Sequence, residues 1–284
     1  MSHKNILNIF RQIQNKIYAE KIFENILEQN IESSALKSIT LLSHHWNSHN
    51  SKTANSNLET SLGVITLLGW VGYTILDHAI DGQHDILKSI PLAERCMREL
   101  HWRLSLLCKT PTERTVVIEL LTLIETAHYA ECHGRVPTPW HKSAGHMIGP
   151  LILIVRQDHS PKSAIFKASK SYFIEFLTIK QLSDDLRDWE EDWKADRHTI
   201  VTEHLRKIIS SLENRNKNKV SFNMIRKIYT LGTLKHFCFI LIRRGNIALR
   251  ALKHTGNHRN ITHFEKCITR LQDGARNALT YIKK

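Results

Sequence analysis

The stretch TSLGVITLLGWVGYTIL, residues 60–76, decides the fold class of this protein. Its 17 residues carry no charged side chain, and the run ends directly on Asp77. A bilayer crossing needs about 20 apolar residues, and this run is shorter and includes glycines. A helix without charge on any face is typical of a segment that is buried all round. The stretch therefore predicts a helix in the core of a folded domain.

Apolar residues recur at helical spacing on both sides of this stretch. Examples are Ile6, Ile9, Phe10 and Ile13 before it and Leu92, Cys96 and Leu100 after it. Six prolines and eleven glycines are few for 284 residues, which disfavours a β-sandwich or barrel. We therefore predict an all-α protein that forms one helical domain over residues 1–284. The predicted helices cover residues 4–29, 33–46, 58–81, 86–108, 112–132, 139–156, 161–193, 198–212, 219–253 and 259–282.

The chain has a large excess of basic over acidic residues. A formal net charge of +13, from 40 Lys and Arg against 27 Asp and Glu, attracts polyanions at long range. The cations are spread along the chain without a nucleic-acid motif, so we expect no specific nucleic-acid binding. A diphosphate substrate or peripheral contact with an anionic membrane fits the charge as well. Five cysteines without a Cys-x-x-Cys pair, and a polar N-terminus without a secretory pattern, favour a cytoplasmic protein.

A first group of aspartates follows the uncharged stretch in DHAIDGQHD, residues 77–85. Asp77, Asp81 and Asp85 are four residues apart, so they fall within roughly 80° of one helix face if the helix continues through Gly82. Many acidic faces with this spacing are simply solvated. Here the preceding helix is predicted to be buried, and an unpaired buried carboxylate is costly, so we expect a cation nearby.

A second, denser group lies in QLSDDLRDWEEDWKADRHTI, residues 181–200. Its members project within an arc of roughly 100° on a helix, and they are Gln181, Asp184, Asp185, Asp188 and Asp192. An exposed charged helix is the alternative interpretation. Like charges so close repel one another unless a cation lies between them, and Mg²⁺ prefers such oxygen ligands. Two separate groups of carboxylates on facing helices could hold a diphosphate through shared metal ions.

In motif and in order along the chain, these residues resemble the class I isoprenoid synthases, the superfamily of trans-prenyltransferases, squalene and phytoene synthases and class I terpene synthases. Asp77 and Asp81 are similar to the Asp-x-x-x-Asp motif of squalene and phytoene synthases. Residues 181–197 resemble both the Gln-x-x-Asp-Asp-x-x-Asp stretch of chain-elongating enzymes and the Leu-Arg-Asp-x-x-Glu-Asp stretch of phytoene synthases. Lys142-Ser143 resembles a Lys-Thr pair that contacts diphosphate. His78 stands where chain-elongating enzymes have a second aspartate, so the branch of the superfamily stays open.

The resemblance implies a helical bundle around a central apolar cavity, a trinuclear Mg²⁺ cluster, and ionisation of a prenyl diphosphate followed by condensation or cyclisation. It also implies a homodimer. The implied metal ligands are Asp77, Asp81, Asp184, Asp185, Asp188 and Asp192. The implied catalytic residues are Asp77, Asp81 and Asp188. The implied diphosphate contacts are Lys142, Gln181, Arg187 and Arg197.

Two other functions are compatible with the sequence. The altered first motif is compatible with a helical module that binds a prenyl lipid or a protein without catalysis. The Glu125-x-x-His128 spacing is that of ferritin-like di-iron sites, which need a second copy, and only residues 81–84 offer a rough one. The aromatic residues ahead of the aspartates, such as Tyr73 and Tyr172, are expected either to pack the core or to line an apolar cavity.

Overall fold

The computed structural model of the chain describes residues 3–17, 46, 56–80, 86–157, 160–216, 219–255 and 261–282. All regular elements in these ranges are helical, which confirms the all-α fold class. Contacts divide the chain into two compact units, a first unit of Met1–Thr122 with Ala144–Phe166 and a second unit of Leu123–Ser143 with Lys167–Lys284. The single domain and the central apolar cavity expected from the sequence stay predictions.

The first unit is built around one helix. It contains α1 (His3–Ile17), α2 (Ser56–Ile80), α3 (Ile86–Leu107), the first half of α4 (Pro111–Cys132), a 3₁₀ turn (Ala144–Met147) and α5 (Ile148–Arg156). α2 contacts α1, α3, α5 and the 3₁₀ turn. α1 presents an apolar face at Ile6, Phe10 and Ile13, all buried, while its polar residues are mostly exposed. The uncharged stretch therefore forms the central helix of this unit.

The side chains of α2 are buried among the protein's own helices. Leu62, Leu67, Leu68, Val71 and Ile75 are each 0% exposed. The segment Asn57–Ala79 is long and apolar enough to cross a membrane, and 56% of an 18-residue stretch within it is buried inside the protein. A core helix of a soluble protein passes the same test. The burial agrees with the core helix expected from the sequence.

α4 begins where the sequence signals it. Thr110 accepts a hydrogen bond from the backbone N–H of Glu113, and the Glu113 carboxylate accepts bonds from the N–H groups of Lys109 and Thr110. This reciprocal pattern is a capping box, and Pro111 occupies the first helical position, where no N–H is needed. Arg156 at the end of α5 also donates to Glu113, at 2.6 Å. The capped helix start is thereby tied to α5.

The second unit contains the remaining helices. They are the end of α4, then α6 (Ala164–Lys194), α7 (Ile200–Asn216), α8 (Phe222–Ile228), a π-helical turn (Tyr229–Leu234), α9 (Lys235–Lys253) and α10 (Ile261–Ile282). α6 begins in the first unit and belongs to the second from Lys167 onward. The π-helical turn contacts α7, α8, α9 and α10.

The π-helical turn lies within the single helix that the sequence predicts over residues 219–253, and the helical segments on either side of it are continuous with it. Buried positions recur every four residues from Ile225 through Tyr229, Thr233 and Phe237 to Leu241. A regular helix would drift by about 40° at each such step, and the wider turn reduces this drift. Tyr229, the first residue of this turn, faces α6, where its ring stacks on Trp189 at 4.0 Å between centroids.

Most other predicted helices are observed within a few residues of their expected ends. The segment predicted at 139–156 begins later, at the 3₁₀ turn, because turns occupy the residues before it. The first predicted helix, 4–29, is observed to Ile17. Its remaining residues, and the predicted segment 33–46 apart from Trp46, lie outside the described residues.

α9 and α10 pack closely at Gly245. A Cβ atom built there would lie 2.5 Å from Nε2 and 2.8 Å from Cδ of Gln272 on α10. Gln272 is 2% exposed, and its amide donates to the carbonyl of Ile242 and to Oδ1 of Asn246, both at 2.9 Å. The missing side chain at Gly245 is thus what lets a buried amide bridge the two helices.

We expect Gly245→Ala to lower the free energy of unfolding by about 2–3 kcal/mol, because the added methyl displaces Gln272 and breaks both buried hydrogen bonds. Gly274→Ala on α10 is the matched control, since a methyl group added there would lie in open space beside the helix. That substitution should stabilise the protein by up to about 1 kcal/mol through helix propensity. Urea unfolding of both variants measures the difference, and equal effects would contradict the packing role of Gly245.

Candidate metal-binding site

The second aspartate group lies on α6 within the second unit. Asp185 and Asp192 are each 7% exposed, although they are ionisable. The side chains of Asp184 and Asp188 are more accessible, at 39% and 45%. We call these four aspartates the acidic stripe. One part of the acidic stripe is therefore buried against the unit, and the other part faces its surface.

Among these carboxylates, Asp185 has the most strongly raised pKa. Gln181, one helical turn earlier, donates its amide N–H to Asp185 Oδ1 at 2.8 Å. Burial raises the pKa of Asp185 to about 7, with the negative charges of Asp192 and Asp184 acting in the same direction and Gln181 and Lys142 in the opposite one. The carboxyl group is thus poised between its neutral and charged forms near neutral pH.

Asp184 and Asp192 are shifted in the same direction. Burial is the largest cause in both cases, and the charge of Asp188 adds repulsion to each, so both have a raised pKa. Arginines oppose the shift, Arg187 at Asp184 and Arg197 at Asp192. Repulsion between neighbouring carboxylates is the electrostatic condition under which a divalent cation stabilises a site.

The end of α6 brings Arg197 back onto the acidic stripe. Asp196 adopts a left-handed conformation with φ of 55°. The N–H of Asp196 donates to the carbonyl of Trp193, and the N–H of Arg197 donates to that of Asp192. This is the hydrogen-bond pattern of a Schellman motif. The reversal of the chain places Arg197 Nη1 at 3.3 Å from Asp192 Oδ1.

The loop after Arg197 is fixed to the start of α7. The backbone N–H of Thr202 donates to the Thr199 hydroxyl, and the N–H of Thr199 donates to the Thr202 hydroxyl. The Thr202 hydroxyl also donates to the carbonyl of Arg197 at 2.8 Å. Arg206 donates to Asp196 Oδ1 and to Glu203. These bonds hold the backbone that carries Arg197.

A second Schellman motif positions Lys142. Gly134, with φ of 63°, ends α4, and the N–H of Arg135 donates to the carbonyl of Ala130. Two turns follow, and they bring the chain back toward α4, so that Lys142 Nζ lies 2.9 Å from Glu131 Oε1. From there Lys142 lowers the pKa of Asp185. Lys142 and Asp185, which are distant in sequence, are therefore electrostatic neighbours.

Arg187 lies on the exposed side of the acidic stripe, with 69% of its side chain accessible. Its guanidinium donates to both carboxylate oxygens of Asp188 at 3.0 Å and contacts Asp184 at 3.2 Å. Hydrogen bonding to Asp188 raises the pKa of Arg187. The accessible carboxylates are thus partly neutralised by an arginine from their own helix.

The first aspartate group belongs to the other unit. Asp77 lies in the last turn of α2 and is partly buried. Asp81 and Asp85 lie outside the described residues. The roles that the resemblance gives to Asp77 and Asp81, as metal ligands and catalytic residues, stay predictions.

Some contacts at the site are not evident from the sequence. The main one is the ion pair between Glu131 and Lys142, because it depends on the conformation of the loop between these two residues. Its position three residues after His128 is a weak signal, and Glu131 Oε2 lies 3.9 Å from His128 Nδ1. Glu125, which the di-iron interpretation needs beside His128, is exposed. That interpretation also needs residues 81–84, which lie outside the described ranges.

The aromatic residues ahead of the acidic stripe pack on one another. Tyr172 and Phe173 are 0% exposed, and Tyr172 stacks on Phe176 with ring centroids 5.9 Å apart. Phe264 of α10 meets Tyr172 edge-on at 5.7 Å. This part of α6 serves the core of the second unit.

The donor set of the acidic stripe fits a hard divalent cation. Mg²⁺ binds through one or two carboxylates and completes its octahedron with water and phosphate oxygens. Asp184 and Asp188 offer accessible oxygens, while Asp185 and Asp192 supply negative charge behind them. Lys142 and Arg197 add cationic groups suited to an anion that binds next to the metal.

We expect Asp185→Asn to stabilise the metal-free protein at pH 8. The raised pKa means that the folded state holds this proton more tightly than the unfolded chain, so the carboxyl weakens folding as pH rises from about 4 through about 7. Removing the charge should therefore raise the free energy of unfolding by up to about 4 kcal/mol at pH 8 and have little effect at pH 4.

Chemical unfolding in EDTA at both pH values measures this difference. Asp273→Asn, at an exposed carboxylate on α10, is the control that should change stability little at either pH. Since Asp184 and Asp192 also have raised pKa values, the variant should keep part of the pH dependence. A loss of stability at pH 8 would show that the Asp185 charge is favourable in the fold.

No protein-family model, curated protein or solved structure matches the chain.

Proposed function

We propose that the protein is a Mg²⁺-dependent class I isoprenoid synthase, which binds a prenyl diphosphate and ionises it before condensation or cyclisation. The observation that carries the proposal is the acidic stripe of α6, where two nearly buried carboxylates have raised pKa values and lie beside Lys142 and Arg197. The order of the motifs along the chain supports the same function.

The buried carboxylates support a metal site on energetic grounds. Burying a carboxylate is unfavourable unless it is paired, and several like charges on one helix face add repulsion. A Mg²⁺ ion would offset this cost, because the carboxylates would bind it and it would supply the positive charge that a diphosphate group requires.

Each group of residues at the site would have its own role in this reaction. Asp184 and Asp188 would bind the metal with their accessible oxygens, Asp185 and Asp192 would supply negative charge behind them, and the resemblance adds Asp77 and Asp81 as ligands. Lys142 and Arg197 contact the diphosphate, with Gln181 orienting Asp185 and Arg187 moving from the carboxylates to the anion. When bound, Mg²⁺ supplies positive charge that stabilises the departing diphosphate. The apolar part of the protein encloses the prenyl chain and keeps water from the allylic cation.

The direct test is diphosphate release from geranyl, farnesyl and geranylgeranyl diphosphates by the purified protein with Mg²⁺. We expect release that depends on the metal and that falls by about a hundredfold or more in Asp188→Asn, because a ligand of the catalytic metal is lost. Asp273→Asn is the control, since Asp273 also pairs with an arginine on its own helix. No release from any of these donors would overturn the proposal.

Lys142 should affect substrate binding more than the stability of the fold. We expect Lys142→Gln to raise the KM for a prenyl diphosphate by about tenfold, because a charge-assisted contact to phosphate is lost, while Lys142→Arg keeps most of the affinity. Steady-state kinetics with the best donor measures both variants. An unchanged KM in Lys142→Gln would exclude Lys142 from the diphosphate site.

A second candidate is a helical protein that binds a prenyl lipid or another protein without catalysis. The ion pairs of Arg187 with Asp184 and Asp188, and of Arg197 with Asp192, favour it, because they partly satisfy the acidic stripe without a metal ion. Asp188→Ala separates the two candidates. Ligand affinity that is independent of Mg²⁺ and unchanged in this variant supports the binding protein, whereas lost turnover in a folded variant supports the enzyme.

A further inference from the structure

The chain contains no Asp or Glu between Glu213 and Glu265, although Lys and Arg are more frequent there than in the chain as a whole. This acid-free stretch includes α8, the π-helical turn and α9, which follow one another without a break. α9 uses one side for packing, with Phe237, Cys238, Leu241, Ala248 and Leu252 buried. Its other side is therefore a solvent-facing surface whose own charges are all positive.

The exposed residues of α9, apart from His236 at its start, form one narrow face. They fall within roughly 80° around the helix axis, and they are Lys235, Phe239, Arg243, Asn246, Arg250 and Lys253. We call this set the cationic face. It extends along the whole of α9, so its charges form a line rather than a point.

The cations of this face have no acidic partners among the described residues. Arg244, which lies about 100° from the face and borders the packed side of α9, pairs with Glu175 at 3.0 Å, and Arg226 on α8 pairs with Glu190. Lys235, Arg243 and Arg250 make no such pairs within the part of the chain that the structure describes. Their charges are thus available to an external anion.

Apolar side chains are exposed along the same continuous helix. Phe239 lies between Lys235 and Arg243 on the cationic face and is 55% exposed. Leu231 in the π-helical turn and Met224 on α8 are 63% and 52% exposed. Large apolar side chains among unpaired cations are typical of helices that lie in the plane of a membrane surface.

We propose that the cationic face, with Met224 and Leu231, docks on the surface of an anionic lipid bilayer. The cations lie against lipid headgroups, and the exposed apolar side chains enter the boundary between headgroups and acyl chains. A second copy of the chain is a poor occupant, because two such faces repel each other. A nucleic acid matches the charge but gives no favourable environment to Leu231 and Met224, which have no aromatic ring to stack on bases.

The test is sedimentation of the full-length protein with vesicles of phosphatidylcholine, either alone or with about one-third phosphatidylserine. We expect binding only to the anionic vesicles, and weaker binding as salt concentration rises. The triple variant Lys235→Glu, Arg243→Glu, Arg250→Glu should bind about a hundredfold more weakly, since each cation near the surface contributes about fivefold. Phe239→Ser should also weaken binding.

The control is Lys266→Glu with Arg270→Glu, two exposed cations on α10, which tests whether net charge alone drives binding. This control should bind much as the native protein does. Equal loss in the control and the triple variant would overturn the proposal, as would native binding to vesicles of phosphatidylcholine alone. Tighter binding to RNA or DNA than to anionic vesicles, with no effect of Phe239→Ser, would assign the face to nucleic acid instead. Circular dichroism checks that each variant is folded.

Discussion

The burial of two carboxylates, Asp185 and Asp192, on one side of α6 sets the electrostatics of the candidate site. Each is almost excluded from water, and each has a raised pKa because the charged form loses hydration. The cost is reduced only in part, by Gln181 and Lys142 at the first and by Arg197 at the second. Negative charge is therefore concentrated where the fold alone would disfavour it, and this suits the site to cations.

Helix ends, rather than helix faces, bring the cations to these carboxylates. α4 and α6 both end in Schellman motifs, at Gly134 and Asp196, and each motif turns the chain back toward the helix it has just left. These reversals of the chain place Lys142 and Arg197 near the carboxylates of α6. The two loops are also close together, since a Cβ atom at Gly134 would lie 3.8 Å from Nε2 of His198. Backbone geometry thus places the charges, and the hydrogen bonds around Thr202 hold Arg197 there.

Much of the fold follows from local patterns in the sequence, and less of the site does. The uncharged run before Asp77 predicts α2, and Pro111 and Gly134 mark the two ends of α4. The π-helical turn is not evident from the sequence, although buried positions recur every four residues through Tyr229, because the polar Thr233 interrupts the apolar pattern. The spacing of the aspartates predicts a common face on α6. The pairing of Glu131 with Lys142 depends on a loop conformation that no local pattern specifies.

The distribution of acidic residues says more about this protein than its net charge does. Lys and Arg occur all along the chain, so a charge of +13 by itself selects no surface. In the second unit the carboxylates cluster on α6, and none occurs from residue 214 to residue 264. One helix is consequently suited to cations and another to anionic surfaces. The prenyl diphosphate that we propose as the substrate has an anionic head and an apolar chain, and the bilayer docking that we propose for α9 would bring the protein to the place where such a chain partitions.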